Sequence, residues 1–161
     1  MTANQSPSTD TDALALLTKD HRDVKKLFSA YQDLADEDAT AEHRLAIAQE
    51  ICEALTLHAL VEEEIFYPAL RKATTAADDA LDEAEVEHAS IKDLVAQIKG
   101  MAPDEDRYNA KVKVLGEYVD HHAKEEEREM FPKARKSDID LAKMGLLMKE
   151  RKEELQSVDV N

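Results

Sequence analysis

The chain has 161 residues and a formal net charge of -15, from 36 acidic against 21 basic residues, a length that suits one domain with a sizeable core. Three Gly, four Pro and 4% aromatic residues leave few turn signals for an all-β chain and favour helix. The acidic balance, without a basic stripe, argues against nucleic acid as a partner, and a single cysteine, Cys52, excludes an internal disulfide framework.

Residues 1–11 are rich in Ser, Thr, Asn and Pro and are expected to form a disordered tail. They show no basic start followed by an apolar run, and no apolar stretch approaches the roughly 20 residues of a membrane span. A soluble cytoplasmic protein without a membrane partner is the expectation.

From Asp12 a helical period sets in. Leu14, Leu17, His21, Val24, Phe28 and Tyr31 step by three and four, drawing one apolar stripe with a histidine in its middle. Residues 36–40 then read as a loop, with Thr40 as N-cap of the next helix. That second helix is expected over about residues 41–73, with Leu45, Ala48, Ile51, Leu55, His58, Glu62, Ile65 and Ala69 on its stripe. Glu63 and Glu64 rotate away from the stripe as surface charges, and Pro68 should kink the last turns.

A third helix, about residues 78–101, carries Leu81, Ala84, His88, Ile91, Val95 and Ile98 and closes at Gly100 and Pro103. The fourth, from near Asp104 to Arg135, aligns Val112, Leu115, Val119, His122, Glu126 and Met130. Ser137 is the expected cap of a last helix through Leu141, Met144 and Met148 to about Leu155. Four long helices with short connections predict an antiparallel up-down-up-down four-helix bundle over residues 12–135, with an extra C-terminal helix and tail over 136–161.

The sequence also repeats. His58-Ala-Leu-Val-Glu62-Glu-Glu and Pro68 return as His122-Ala-Lys-Glu-Glu126-Glu-Arg and Pro132, aligned without a gap. A spacing of four puts imidazole and carboxylate on one helix face. Asp20-His21 likewise resembles Glu87-His88, so each half supplies a lone His and a His-x3-Glu. A lone core histidine is more often a hydrogen-bonded packing residue than a ligand. Glu62 and Glu126 at core phase are different, because an unpaired carboxylate there costs several kcal/mol and no Lys or Arg shares those stripes. A pair of metal ions held by His21, His58, Glu62, His88, His122 and Glu126 satisfies all six. Mixed nitrogen and oxygen donors with open positions suit iron, with manganese second, and a closed zinc site would want thiolates.

On these residues the chain resembles the hemerythrin-like, or HHE cation-binding, family over about residues 12–135. The resemblance implies a four-helix bundle holding two iron ions, bridged by two carboxylates and an oxo or hydroxo group, with dioxygen or a related small molecule bound at an open iron position. Oxygen-carrying hemerythrins have a further histidine one turn before the third-helix His, where this chain has Ala84. Glu85 and His121 are the alternatives for that donor, and its absence favours redox turnover over oxygen carriage. The expected function is a non-haem di-iron protein that binds or reacts with dioxygen, peroxide or nitric oxide in stress or iron handling. The alternatives are a peroxide-decomposing, catalase-like or iron-oxidising enzyme, and an iron or redox sensor.

Overall fold

A computed structural model describes residues 12–158, and the expected N-terminal tail lies outside them. Among the described residues the regular structure is all helical, without strands. Helix α1 is Ala13–Asp36, α2 Ala41–Val61, α3 Tyr67–Ala73, α4 Asp78–Lys99, α5 Tyr108–Glu125, α6 Phe131–Lys136 and α7 Leu141–Val158. Two π-helical turns, Glu62–Phe66 and Glu126–Met130, join α2 to α3 and α5 to α6, so that each pair forms one continuous rod.

The bundle is antiparallel. His21 near the start of α1 meets Glu126 beyond the end of α5, while Tyr31 near the end of α1 donates to Asn109 at the start of α5, 2.6 Å away. The α2–α3 rod runs against α4 in the same sense, pairing Glu63 with Lys92 and Arg71 with Asp82. Helix α7 lies across α1 and α2, burying Met144 and Met148. No described helix is long and apolar enough to cross a membrane.

Several ends differ from the sequence expectation, each for a local reason. Asp12 caps α1 by accepting from Ala15 N at 2.8 Å. Thr40 precedes α2, but its hydroxyl contacts His43 Nδ1 at 3.2 Å and caps nothing. Helix α5 starts at Tyr108 and not at Asp104, because Arg107 has φ 73°, a left-handed conformation that an α-helix of L-residues does not contain. Ser137 turns the chain after α6, accepting from Ile139 N at 3.3 Å, and the first turn of α7 is capped by Asp140, which accepts from Lys143 N at 3.1 Å.

Pro68 is accommodated by a wide turn ahead of it. A proline lacks the N–H for α-helical bonding and crowds the carbonyl four residues back; here the turn before it widens, so that Tyr67 N–H bonds Glu62 O, five residues back. The second copy does the same, with Phe131 N–H bonding Glu126 O ahead of Pro132. Both wide turns therefore begin on the repeated glutamate.

The core is in two parts. One apolar cluster, with Leu14, Leu17, Phe66, Leu81, Phe131 and Met148, fills the end where α7 docks. The other, with Val24, Ile51, Leu55, Val95, Leu115 and Val119, fills the far end. Each fully buried aliphatic side chain contributes about 1.5–3 kcal/mol. The six repeated His and Glu residues form a polar layer in the bundle interior.

Candidate metal centre

The layer is built from facing helices. His21 comes from α1, His58 and Glu62 from the α2 rod, His88 from α4, and His122 and Glu126 from the α5 rod. Glu62 is 0% and Glu126 2% exposed, and among the described residues no Lys or Arg is paired with either. Their neighbours are imidazoles: His58 Nε2 lies 3.1 Å and His88 Nε2 3.3 Å from Glu62 Oε1. His21 Nε2 lies 3.3 Å from Glu126 Oε1, and His122 Nε2 3.3 Å from Glu126 Oε2. All six sequence-predicted residues thus converge, in two groups. His21, His58, Glu62 and Glu126 form one, and Glu62, His88 and His122 the other, with the donor atoms of each group within 4.8 Å of one another.

Four carboxylates that the stripes did not point to lie behind the rings, and three of them hold a ring nitrogen by a hydrogen bond. His58 Nδ1 faces Asp20 Oδ2 at 2.9 Å, His88 Nδ1 faces Glu63 Oε2 at 3.2 Å, and His122 Nδ1 faces Glu87 Oε1 at 3.0 Å. His21 Nδ1 comes within 3.5 Å of Glu127 Oε1, an approach too loose to count as a hydrogen bond. A carboxylate on Nδ1–H fixes the tautomer in which Nε2 presents its lone pair inward.

This arrangement tests whether a cation fits. His88 Nε2 and His122 Nε2 stand 3.1 Å apart, a separation that calls for a shared proton or a cation between the two nitrogens. Two donors at right angles around an ion at roughly 2.1 Å are themselves about 3.0 Å apart, which matches this separation and the 3.1–3.3 Å contacts above. His21 Nε2, His58 Nε2, both Glu62 oxygens and Glu126 Oε1 are buried without any hydrogen-bond partner. Buried polar atoms are rarely left so, and a bound cation satisfies them together.

Electrostatics agree. Burial works against a charged imidazole, but Glu62 and Asp20 override it and push His58 up to about 10. His122 is likewise raised against its burial, by Glu126 and Glu62, to about 11. Burial works against an ionised Glu62, yet His58 and its other polar neighbours hold it well below the usual carboxylate range. The carboxylates thus keep protons on imidazoles where no metal is bound, and a metal competes with those protons.

The sequence offers Tyr31, Tyr67 and Tyr118 as candidate hydrogen-bond donors to the centre while favouring ordinary packing for all three; Tyr67, which helical phase does not turn inward, is the one that arrives there. Its hydroxyl donates to Glu126 Oε2 and stands 3.2 Å from His88 Nε2 and 3.3 Å from His122 Nε2. Burial, then the Glu62 and Glu126 charges, raise its pKa well above the ordinary value. In an unbroken α-helix a residue five after Glu62 points roughly 140° away from it; the wide turn brings it back into the layer. The equivalent residue of the second copy is Phe131, which stacks on His21 with ring centroids 6.3 Å apart. One group therefore has a hydroxyl beside it and the other a phenyl ring.

The alternatives for the extra donor lie elsewhere. Glu85 is exposed and bound by Arg71 at 3.1 Å, and His121 is exposed, 3.6 Å from Glu87 Oε2. Ala84 is buried in the apolar cluster beside the layer. Tyr118 is exposed, and Tyr31 is bonded to Asn109.

Comparisons with known proteins agree with this geometry. The sequence model of the hemerythrin HHE cation binding domain matches residues 12–134. The crystal structure of a hemerythrin HHE cation binding domain-containing protein from Mycobacterium kansasii superposes with a TM-score of 0.75 at 25% identity, covering 92% of this chain and 90% of that one. A curated relative from a Nostoc species, named a DNA nickase, is 29% identical over 126 residues, 78% of this chain; the chain spans 34% of that relative's length. With two buried His/Glu groups able to hold metal inside a helical bundle of this kind, the chain belongs to the hemerythrin HHE cation-binding domain family.

Proposed function

We propose that the centre holds two iron ions and that the protein uses them on a small uncharged oxidant, hydrogen peroxide first, with dioxygen and nitric oxide in the same class. The observation that carries this reading is the set of buried imidazole and carboxylate atoms without partners, arranged around shared carboxylates. Glu62 and Glu126 each face both groups of donors, as bridging ligands would, and His21, His58, His88 and His122 are the terminal donors. Imidazole with carboxylate and no thiolate favours iron, with manganese next. Cys52 is buried in the far apolar cluster.

A cavity of about 270 Å³, lined mainly by apolar side chains such as Val24, Leu55, Ile91 and Val95, opens onto all four histidines. Such walls admit small neutral molecules and disfavour ions. Iron supplies one-electron redox chemistry and exchangeable coordination positions for such a ligand. Tyr67 Oη holds a proton beside Glu126 Oε2, within reach of an oxygen atom entering the group at His88 and His122. That hydroxyl, together with Ala84 in place of a fifth histidine, favours turnover of peroxide over carriage of dioxygen. DNA cleavage is not carried over from the Nostoc relative, since a net charge of -15 opposes a polyanionic substrate.

The test is metal analysis with absorption spectra before and after reduction, followed by peroxide loss at matched iron content. Two irons per chain and steady peroxide consumption are expected. One tightly held zinc without iron would refute the di-iron reading, and an iron-loaded chain that binds dioxygen reversibly but leaves peroxide untouched would refute the turnover.

A further inference from the structure

The family match ends at residue 134, yet helix α7 beyond it reaches the centre. Lys152 Nζ donates to Asp20 Oδ1 at 2.6 Å, and the other oxygen of the same carboxylate faces His58 Nδ1 at 2.9 Å. Side-chain exposure falls along this chain of contacts, from 35% at Lys152 through 20% at Asp20 to 10% at His58. The helix that carries Lys152 is held on its own account. Arg151 forks onto Glu64 in the first wide turn, at 2.7 and 3.2 Å, and Met148 is buried in the apolar cluster.

His122, the counterpart of His58, has no such lysine; in the other half a lysine stands instead behind the lone histidine, where Lys92 holds Glu63 and Glu63 faces His88 Nδ1 at 3.2 Å. Glu87, the counterpart of Asp20, holds His122 Nδ1, but its second oxygen meets only the exposed imidazole of His121 at 3.6 Å. A full positive charge thus backs one histidine and not its equivalent.

We propose that Lys152 is a positioning residue for the metal position at His21 and His58: from α7 it fixes Asp20, and through Asp20 the orientation and donor strength of His58. The inference rests on the di-iron reading above. With Oδ1 held by an ammonium group, Asp20 can offer only Oδ2 to the ring, which locks the tautomer with Nε2 turned toward Glu62. The ammonium also draws charge from the carboxylate, so Asp20 pulls less on the Nδ1 proton and His58 stays a neutral imidazole donor rather than moving toward imidazolate. Helix α7 thereby reaches one metal position from outside the repeated bundle, whereas the lysine behind the other, Lys92, comes from α4 within it.

The experiment uses the full chain with Lys152→Met, Lys152→Gln, Lys152→Arg and Arg151→Met. Iron content is measured first, then release of ferrous iron to a chelator, then midpoint potentials by spectroelectrochemistry. In both neutral variants one of two irons should leave about tenfold faster, as when such partners of ligating histidines are removed, and one potential should move negative because His58 donates more strongly. Lys152→Arg should restore both readings, while Arg151→Met, which loosens α7 without touching Asp20, should leave the potentials at wild-type values.

Wild-type release and potentials in both neutral variants would overturn the proposal. So would an equal shift of both irons, or Arg151→Met reproducing the Lys152→Met effect, which would leave α7 a structural brace only. A wild-type chain that holds no iron would instead overturn the di-iron reading, and this proposal with it.

Discussion

Tyr67→Phe removes one buried oxygen and leaves the ring. In the wild type that oxygen donates to Glu126 Oε2, and its raised pKa keeps the proton on it in the metal-free chain. A hydrogen bond to a charged acceptor is worth about 1.5–3 kcal/mol, and an acceptor left unsatisfied in the interior costs its full desolvation. Glu126 is 2% exposed, so water does not replace the lost donor. Taking about 2 kcal/mol, and about 2–4 °C per kcal/mol for a chain of this size, the metal-free variant should melt about 4–8 °C lower. In the loaded protein a cation takes over the Glu126 charge, so the melting difference should shrink. A different one should appear, because His88 and His122 lose the hydroxyl that stands 3.2 and 3.3 Å from their Nε2 atoms. Release of the ion at His88 and His122 to a chelator should quicken by about tenfold, with peroxide consumption falling at matched iron. Thermal melts of both forms and release kinetics read this directly. Equal melting of the metal-free proteins together with equal release would refute a working contact between Tyr67 and the centre.

Three further outcomes are expected. Glu62→Gln and Glu126→Gln should each cost far more bound metal than His121→Ala, measured by metal analysis after desalting, because each glutamate faces both groups while His121 touches only Glu87. Raised histidines stabilise the metal-free fold fully below about pH 6.5 and lose that contribution as pH climbs through about 10 for His58 and 11 for His122. The metal-free chain should therefore weaken in denaturant melts between those limits, while metal affinity rises with pH and loading at neutral pH releases protons, read by calorimetry in buffers of different ionisation enthalpy. Ala84→His should destabilise the chain by about 1–3 kcal/mol through overpacking rather than supply a new donor, since the void beside Ala84 is only about 10 Å³; unchanged stability with slower peroxide loss would show that the imidazole fits and ligates.

Helical phase made most of the centre legible. His21, His58, Glu62, His88, His122 and Glu126 each sit on a stripe of aliphatic residues, and a period of 3.6 is enough to place them inward. The same period failed five residues past Glu62, because it assumes an unbroken helix. Pro68 was visible in the sequence and the disturbance was expected after it, as a kink; it lies before it, as a wide turn, and Tyr67 enters the layer as a result. The Nδ1 carboxylates were missed for a different reason. Glu63 lies about 100° from Glu62, which points it off its own helix's stripe but toward α4, where His88 Nδ1 and Lys92 wait. Phase within one helix does not say what the neighbouring helix offers at that height.

The repeat held that information in another form. Asp20 and Glu87 each precede a lone histidine, and Glu63 and Glu127 each follow a repeated glutamate, so the four carboxylates are two aligned pairs. In space Asp20 and Glu87 back the histidine of their own half, whereas Glu63 and Glu127 face the histidine of the other half. The first half thus orients a ligand that it does not contain, His88 through Glu63, while the second only brings Glu127 within 3.5 Å of His21. A duplicated sequence alone would give two equal metal positions. Only residues that break the repeat can make them differ, and the structure puts two at the centre: Tyr67 where the second copy has Phe131, beside His88 and His122, and Lys152, which has no counterpart, behind His58. The difference between the two positions is therefore carried by the few residues in which the halves disagree, while the shared residues supply the ability to hold metal.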